Sequence, residues 1–71
     1  MISYKRLWKL LIDRDMKKHD LMERAKLSSS TMSKLGRGEN VSTSTLIKIC
    51  NVLNCDIADI VEMKSIDSEN D

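Results

Sequence analysis

The sequence predicts an all-α domain, a compact bundle of about five short helices. Three observations lead to this prediction. Proline is absent, and both glycines fall in one short stretch near the middle of the chain. Aliphatic residues recur at spacings of three and four, which place them on one face of a helix. Alternating β-branched and aromatic runs, which would indicate strands, are nearly absent.

Length and composition limit the domain organisation. Seventy-one residues make one domain at most, and we expect it to span residues 1–66, followed by a disordered acidic tail at 67–71. Because phenylalanine is absent, the core must be aliphatic, with Tyr4 and Trp8 at its margin. No apolar run approaches the ~18 residues of a membrane span, and no signal peptide is visible, so we expect a cytoplasmic protein.

The first helix is predicted to begin at Ser3 or Tyr4 and to end near Arg14. Trp8 and Ile12 widen its apolar face beyond the usual stripe. Either a small core uses both residues, or they form a hydrophobic patch for a second subunit. The residues expected in the core are Leu7, Leu10 and Leu11.

Two short helices joined by a tight turn are predicted between Lys17 and Gly38. The first covers about Lys18 to Ala25. The second begins at Ser28, whose side chain can accept a hydrogen bond from a backbone N–H of the first turn, and it ends near Arg37. Gly38 provides the permissive backbone of a helix exit. The residues expected to face the other helix and the core are Leu21, Ala25, Leu27, Met32 and Leu35.

The outward face of the second of these helices carries short hydroxyls and long cations. Its members are spaced i, i+3, i+4 and i+7, so they share one side of the helix. Such a surface can lie in a DNA major groove, because hydroxyls and cations donate to base edges and phosphates. These residues are Ser29, Ser30, Ser33, Lys34 and Arg37.

The positive charge of the chain is concentrated in the half that contains these two helices. Residues 1–38 carry ten Lys and Arg against four Asp and Glu, whereas residues 39–71 carry two against seven. Lys17, Lys18 and His19 crowd a helix N-terminus, where cations are unfavourable unless an anion such as a phosphate binds there. His19 alone is better explained as a solvated residue. A solvated surface of mixed charge also accounts for the overall asymmetry.

The second half of the chain predicts two further helices. One covers about Thr43 to Leu53, capped by Ser42 or Thr43, and Asn54 takes the left-handed exit. Asp56 then caps a fifth helix, through about Val61, which buries Ile57, Ile60 and Val61. Residues 62–66 have a weak strand pattern that pairs either with residues 1–4 or with another subunit.

Taken in order, these residues resemble the helix-turn-helix of the Cro/C1-type repressor family. The resemblance covers about Leu7 to Val61 and implies a lambda-repressor-like fold. Two positions depart from the family pattern: Met22 replaces a small residue, and Lys26 replaces the usual turn glycine. A non-glycine residue at positive φ costs about 1 kcal/mol. The matching pieces are Leu21, Leu27-Ser28, Ser30-Thr31-Met32-Ser33-Lys34-Leu35 and Arg37-Gly38, followed by Leu46, Ile49 and Leu53.

The resemblance also implies contacts to double-stranded DNA. Ser29, Ser30, Ser33 and Lys34 match positions that face base edges. Lys18 and Arg37 match positions near the DNA backbone. The full set predicted to contact phosphates is Lys17, Lys18, Arg37, Asn40 and Ser42, although capping by Ser42 explains that residue equally well. Family members often act as dimers, and we predict a homodimer at least on DNA.

The predicted function is sequence-specific regulation of transcription, as a repressor. The alternative is a protein-interaction module on the same fold, such as an antitoxin or anti-repressor component. An enzyme is not indicated, because the sequence has no glycine-rich phosphate loop and no nucleophile–base pair. Cys50, Cys55 and one histidine are too few ligands for zinc, so we expect reduced, half-buried thiols and no metal, cofactor or small-molecule ligand.

Overall fold

The computed structural model describes residues 2–63, in which four α-helices are flanked by two short strands. The predicted all-α class is confirmed. The predicted tail 67–71 and the strand pattern at 64–66 lie outside the described residues. The elements are β1 (Ile2–Ser3), α1 (Lys5–Asp13), α2 (Lys18–Ala25), α3 (Ser29–Gly36), α4 (Thr43–Leu53), a 3₁₀ turn (Ile57–Asp59) and β2 (Glu62–Met63).

Local chemistry explains where the helices begin and end. The Ser28 and Ser42 hydroxyls accept hydrogen bonds from the backbone N–H groups of Thr31 and Thr45, at 3.1 and 3.2 Å. Each bond satisfies one of the N–H groups left without a partner at a helix start. Asn54 ends α4 in the left-handed conformation, at φ 53°, as its side chain readily permits.

The core lies where α1, α2, α3 and α4 meet. It is aliphatic, as predicted, with one exception. Tyr4 is 2% exposed and belongs to the core, so its predicted place at the margin is wrong. Its hydroxyl donates to the Glu39 carbonyl in the loop after α3, and this distant partner could not be recognised from the sequence. The buried apolar residues are Tyr4, Leu7, Leu11, Leu21, Ala25, Leu27, Leu35, Ile49, Leu53 and Ile60.

The predicted fifth helix is also wrong. The segment after α4 forms only the single 3₁₀ turn Ile57–Asp59, where the Asp59 carboxylate accepts from the backbone N–H of Asp56 at 2.9 Å. One such turn is too short to bury a continuous stripe. Ile60 is fully buried, whereas Ile57 is exposed and Val61 is half-buried.

The two strands join the ends of the described chain. β1 and β2 pair antiparallel, with Ile2 opposite Met63 and Ser3 opposite Glu62. Of the two alternatives for the weak strand pattern, residues 62–63 therefore pair within the chain. Among residues 2–63, no helix combines the length and the apolar character needed to cross a membrane.

Candidate nucleic-acid interface

The interface candidate is built on α2 and α3, joined by a three-residue turn. Lys26 ends α2 in the left-handed conformation at φ 56°, as predicted for the position where the resembled family has glycine. The backbone N–H of Leu27 returns to the carbonyl of Met22 at 2.9 Å, which closes the end of α2. The turn brings α3 across α2 with Ala25 buried beneath it and Met22 half-buried.

Helix α3 is held in place on one side only. Leu35 is fully buried and Met32 is half-buried, so these two residues fix the orientation of the helix on the domain. The opposite side of α3 therefore faces solvent. An α-helix is about 10–12 Å across, which matches the ~12 Å width of a DNA major groove.

The four residues predicted to contact bases lie on this exposed side. All are solvent-exposed: Ser29, Ser30, Ser33 and Lys34. Among the hydrogen bonds and ion pairs of residues 2–63, these four side chains have no partner. Their donors and acceptors are thus free to contact base edges.

The residues predicted to contact phosphates are in three different situations. Lys17 and Lys18 are exposed at the start of α2, and Asn40 is exposed after α3. Ser42 caps α4, where its hydroxyl is also 3.1 Å from the Thr45 hydroxyl, so in this structure it has the capping role. The Arg37 Nε donates to the Glu39 carboxylate at 2.7 Å.

This pairing of Arg37 with Glu39 was not predicted from the sequence. The hydrogen bond to Glu39 raises the pKa of the Arg37 guanidinium. The same bond, together with the positive charge of Arg37, lowers the pKa of the Glu39 carboxyl group. The two residues flank Gly38, which has φ +74°, and this sharp bend turns their side chains towards each other. The sequence did contain a signal for this pair: two residues of opposite charge, Arg37 and Glu39, lie on either side of the glycine that follows α3.

Tyr4 and Trp8 support the interface from α1 and the segment before it. The Tyr4 hydroxyl donates to the Glu39 carbonyl at 2.7 Å, and so ties the loop after α3 to the core. Trp8 is half-buried, and its ring centroid lies 4.4 Å from the Lys18 ammonium. From the sequence, both aromatic residues were placed at the margin of the core because they are hydrophobic, and neither of these contacts was predicted.

The fold and this exposed helix together define a helix-turn-helix DNA-binding domain. A capped second helix, fixed on one side and polar on the other, is the recognition element of that class. The Cro/C1-type HTH DNA-binding domain model matches residues 6–65 of the sequence.

The chain belongs to this Cro/C1-type family, as the resemblance predicted. It is also similar to the crystal structure of the transcriptional regulator VanUg, Form II. The sequence identity is 59%, the TM-score is 0.85, and the match covers 86% of this chain and 81% of that one. Comparison with curated proteins gave no match. The predicted class, a DNA-binding transcriptional regulator, is confirmed.

Proposed function

We propose that this protein represses transcription by docking α3 in the major groove of a specific DNA site, without catalysis. One observation supports this proposal most directly. The side of α3 opposite buried Leu35 exposes Ser29, Ser30, Ser33 and Lys34. They share one helix face and have no partner among the described side chains. The resemblance to the Cro/C1-type family, whose model matches residues 6–65, implies that side chains at these positions face base edges.

Lys34 is the residue proposed to read a base. Its ammonium can donate to guanine O6 or N7, the commonest specific contact in the major groove. Serine hydroxyls both donate and accept, so the three serines discriminate bases less strictly. The proposed site therefore has one strongly specified step among weaker ones.

Phosphate contacts supply most of the proposed affinity. Lys17 and Lys18 at the start of α2, together with Arg37 and Asn40 after α3, lie at the two ends of the motif. Ser42 would contribute only if a phosphate replaced or shared its cap to α4. Neutralising phosphates releases counterions, so binding weakens steeply as salt rises.

Lys34→Ala tests the docking directly. We expect a loss of about 1–3 kcal/mol on the preferred site and of discrimination at one base step. Lys18→Ala should instead weaken all sequences alike. Lys48→Ala, which removes an exposed lysine from α4, is the matched control and should change neither. If Lys34→Ala left affinity and site preference intact, the proposed docking would be wrong.

The site itself can be found by selecting random duplex DNA with the purified protein at low and physiological salt, followed by sequencing. A palindromic motif with half-sites about 34 Å apart would support a dimer on DNA. Retention without enrichment would indicate a sequence-tolerant binder.

The alternative function, a protein-interaction module, has one specific observation in its favour. Ile12 is 76% exposed at the end of α1, next to a shallow groove that it forms with Met16 and Lys17. Apolar surface that continues from Ile12 to Met16 along this groove is suited to a protein partner. A pure interaction module would pass through a DNA column at moderate salt, whereas the proposed regulator would be retained.

A further inference from the structure

The Lys18 ammonium lies over the face of the Trp8 indole. The distance from Nζ to the ring centroid is 4.4 Å, within the ~6 Å at which a cation is attracted by the negative face of an aromatic ring. Trp8 is the single tryptophan of the chain and projects from α1, whereas Lys18 is the first residue of α2. The contact therefore joins two helices.

This position is otherwise unfavourable for a cation. The N-terminus of a helix carries a partial positive charge, and Lys17 and His19 flank Lys18. The Asp20 carboxylate is hydrogen-bonded to the Lys17 backbone N–H at 3.0 Å, and Lys18 forms no salt bridge among residues 2–63. The indole face is thus the partner that holds this ammonium in the described structure.

Trp8 also lies beside the exit of α3. It lines an open groove of about 310 Å³ together with Leu35, Gly36 and Arg37. The indole consequently stands between the start of α2 and the end of α3. Those are the two places where the residues proposed to contact phosphates, Lys18 and Arg37, are found.

We propose that Trp8 is a positioning residue for DNA binding, which fixes the Lys18 ammonium at the place where a DNA phosphate docks. This inference rests on the proposed function. A free lysine loses much rotamer freedom when it binds, whereas an ammonium already held on a ring loses less. The ring covers one side of the ammonium and leaves the other side free to donate to a phosphate oxygen.

The experiment is a double-mutant cycle on affinity for the selected duplex at one fixed salt concentration. The proteins are the wild type, Trp8→Leu, Lys18→Ala and the double variant. Leucine keeps apolar bulk against the core and removes the ring face. We expect Trp8→Leu to weaken binding about two- to fivefold when Lys18 is present, because a lysine that is not held on the ring must lose its rotamer freedom when it binds. In the Lys18→Ala background it should have no effect.

A purely structural role for Trp8 would give a different result. In that case Trp8→Leu would weaken binding equally in both backgrounds, and the inference would be overturned. Trp8→Phe keeps a ring face and should retain most of the affinity, so it serves if the leucine variant does not fold. A loss with phenylalanine as large as that with leucine would also contradict the proposal.

Proton NMR of the free protein gives an independent readout. Protons above an aromatic ring are shifted upfield, so the ε-methylene protons of Lys18 should be upfield of those of Lys48 on exposed α4. Unshifted Lys18 protons in the wild type would refute the contact.

Different experimental results would contradict the proposed function and the proposed role of Trp8. If the wild type bound no duplex at low salt, the proposed function would fall and this inference with it. If the wild type bound duplex but the cycle showed no coupling, only the role of Trp8 would fall.

Discussion

Glu39 places a carboxylate beside the proposed DNA backbone contacts. In the free protein it accepts from Arg37 at 2.7 Å, so the guanidinium is held but its charge is partly neutralised. A phosphate approaching Arg37 must displace or share this carboxylate, and like charges repel. If Arg37 contacts a phosphate as proposed, Glu39 opposes DNA binding while it orders the side chain that would favour it.

Glu39→Gln is predicted to tighten binding to duplex DNA several-fold at low salt. The substitution removes one negative charge and keeps a side chain that can hydrogen-bond Arg37. The gain should shrink as salt rises, because screening weakens the repulsion between exposed charges. Affinity measured at several salt concentrations checks this expectation.

Glu62→Gln is the matched control for that prediction. Glu62, on β2, lies 3.8 Å from Arg6 and, among residues 2–63, forms no ion pair with Arg37, so its removal should leave DNA affinity nearly unchanged. Weaker binding by Glu39→Gln would show that ordering of Arg37 matters more than the repulsion.

At the scale of single residues, the sequence predicted the features that depend on residues only a few positions apart. The Ser28 cap and the left-handed Lys26 involve contacts within a few positions. The Tyr4 hydroxyl bond reaches a carbonyl 35 residues away, and the Trp8–Lys18 contact joins two helices. No local pattern encodes such pairs, because the fold has to form before the partners meet.

At the scale of elements, the same distinction explains which predictions succeeded. α2 and α4 have the predicted bounds. Both end at a residue in the left-handed conformation, and the Ser42 cap marks the start of α4. The segment after α4 has a start signal at Asp56 but only a few residues before β2. An apolar pair at i, i+3 fits an α-helical turn and a 3₁₀ turn alike, so the sequence could not separate them.

The last turn of α3 provides a test with two glycines. Gly36 is helical, and a Cβ built there meets nothing within 4 Å. Alanine should therefore stabilise the domain by about 0.5–1 kcal/mol, because it restricts the unfolded chain and favours the helix. Chemical denaturation measures the change in the free energy of unfolding.

Gly38→Ala is the control, since its site is equally open but its φ is +74°. There alanine should destabilise the domain by about 1 kcal/mol. Equal effects at the two positions would contradict the assignment of backbone conformation at the α3 exit.

At the scale of the whole molecule, residues 39–63 are folded back onto the basic first half of the chain, where β2 pairs with β1. The Arg6 guanidinium donates to the Ala58 carbonyl at 2.9 Å and lies near Glu62, so one cation of α1 is turned towards the acidic segment. Lys18 of α2 instead lines a groove with Ser33 and Gly36 of α3, and Arg37 directly follows that helix. Positive charge beside the exposed face of α3 can help to orient the domain on DNA.

The buried groups of the molecule make its stability sensitive to alkaline pH. Burial raises the pKa of Tyr4 above its ordinary value of 10.0, an effect reduced by a backbone hydrogen bond with Val41. Burial likewise raises the pKa of Cys50, and raises that of Cys55 to about 11. In each case the folded state keeps its proton at a pH where the unfolded chain has lost it, so stability falls as pH rises.

Tyr4→Phe isolates the contribution of the tyrosine. Near neutral pH the variant should be less stable by about 1 kcal/mol, because the hydrogen bond to Glu39 is lost. Above pH ~10 the wild type should lose up to about 1.4 kcal/mol per pH unit through Tyr4 until the folded-state pKa is passed. The variant keeps only the slope due to the two thiols, so the two stability curves converge as pH rises.

Because Tyr4 is the only tyrosine, its ionisation can be followed by ultraviolet absorbance while stability is measured by denaturation. The absorbance midpoint should lie above that of the unfolded chain, and the wild-type and variant curves should approach each other over the same pH interval. Parallel curves would mean that Tyr4 titrates as an exposed residue. The link between the N-terminal segment and the loop after α3 would then not exist in solution.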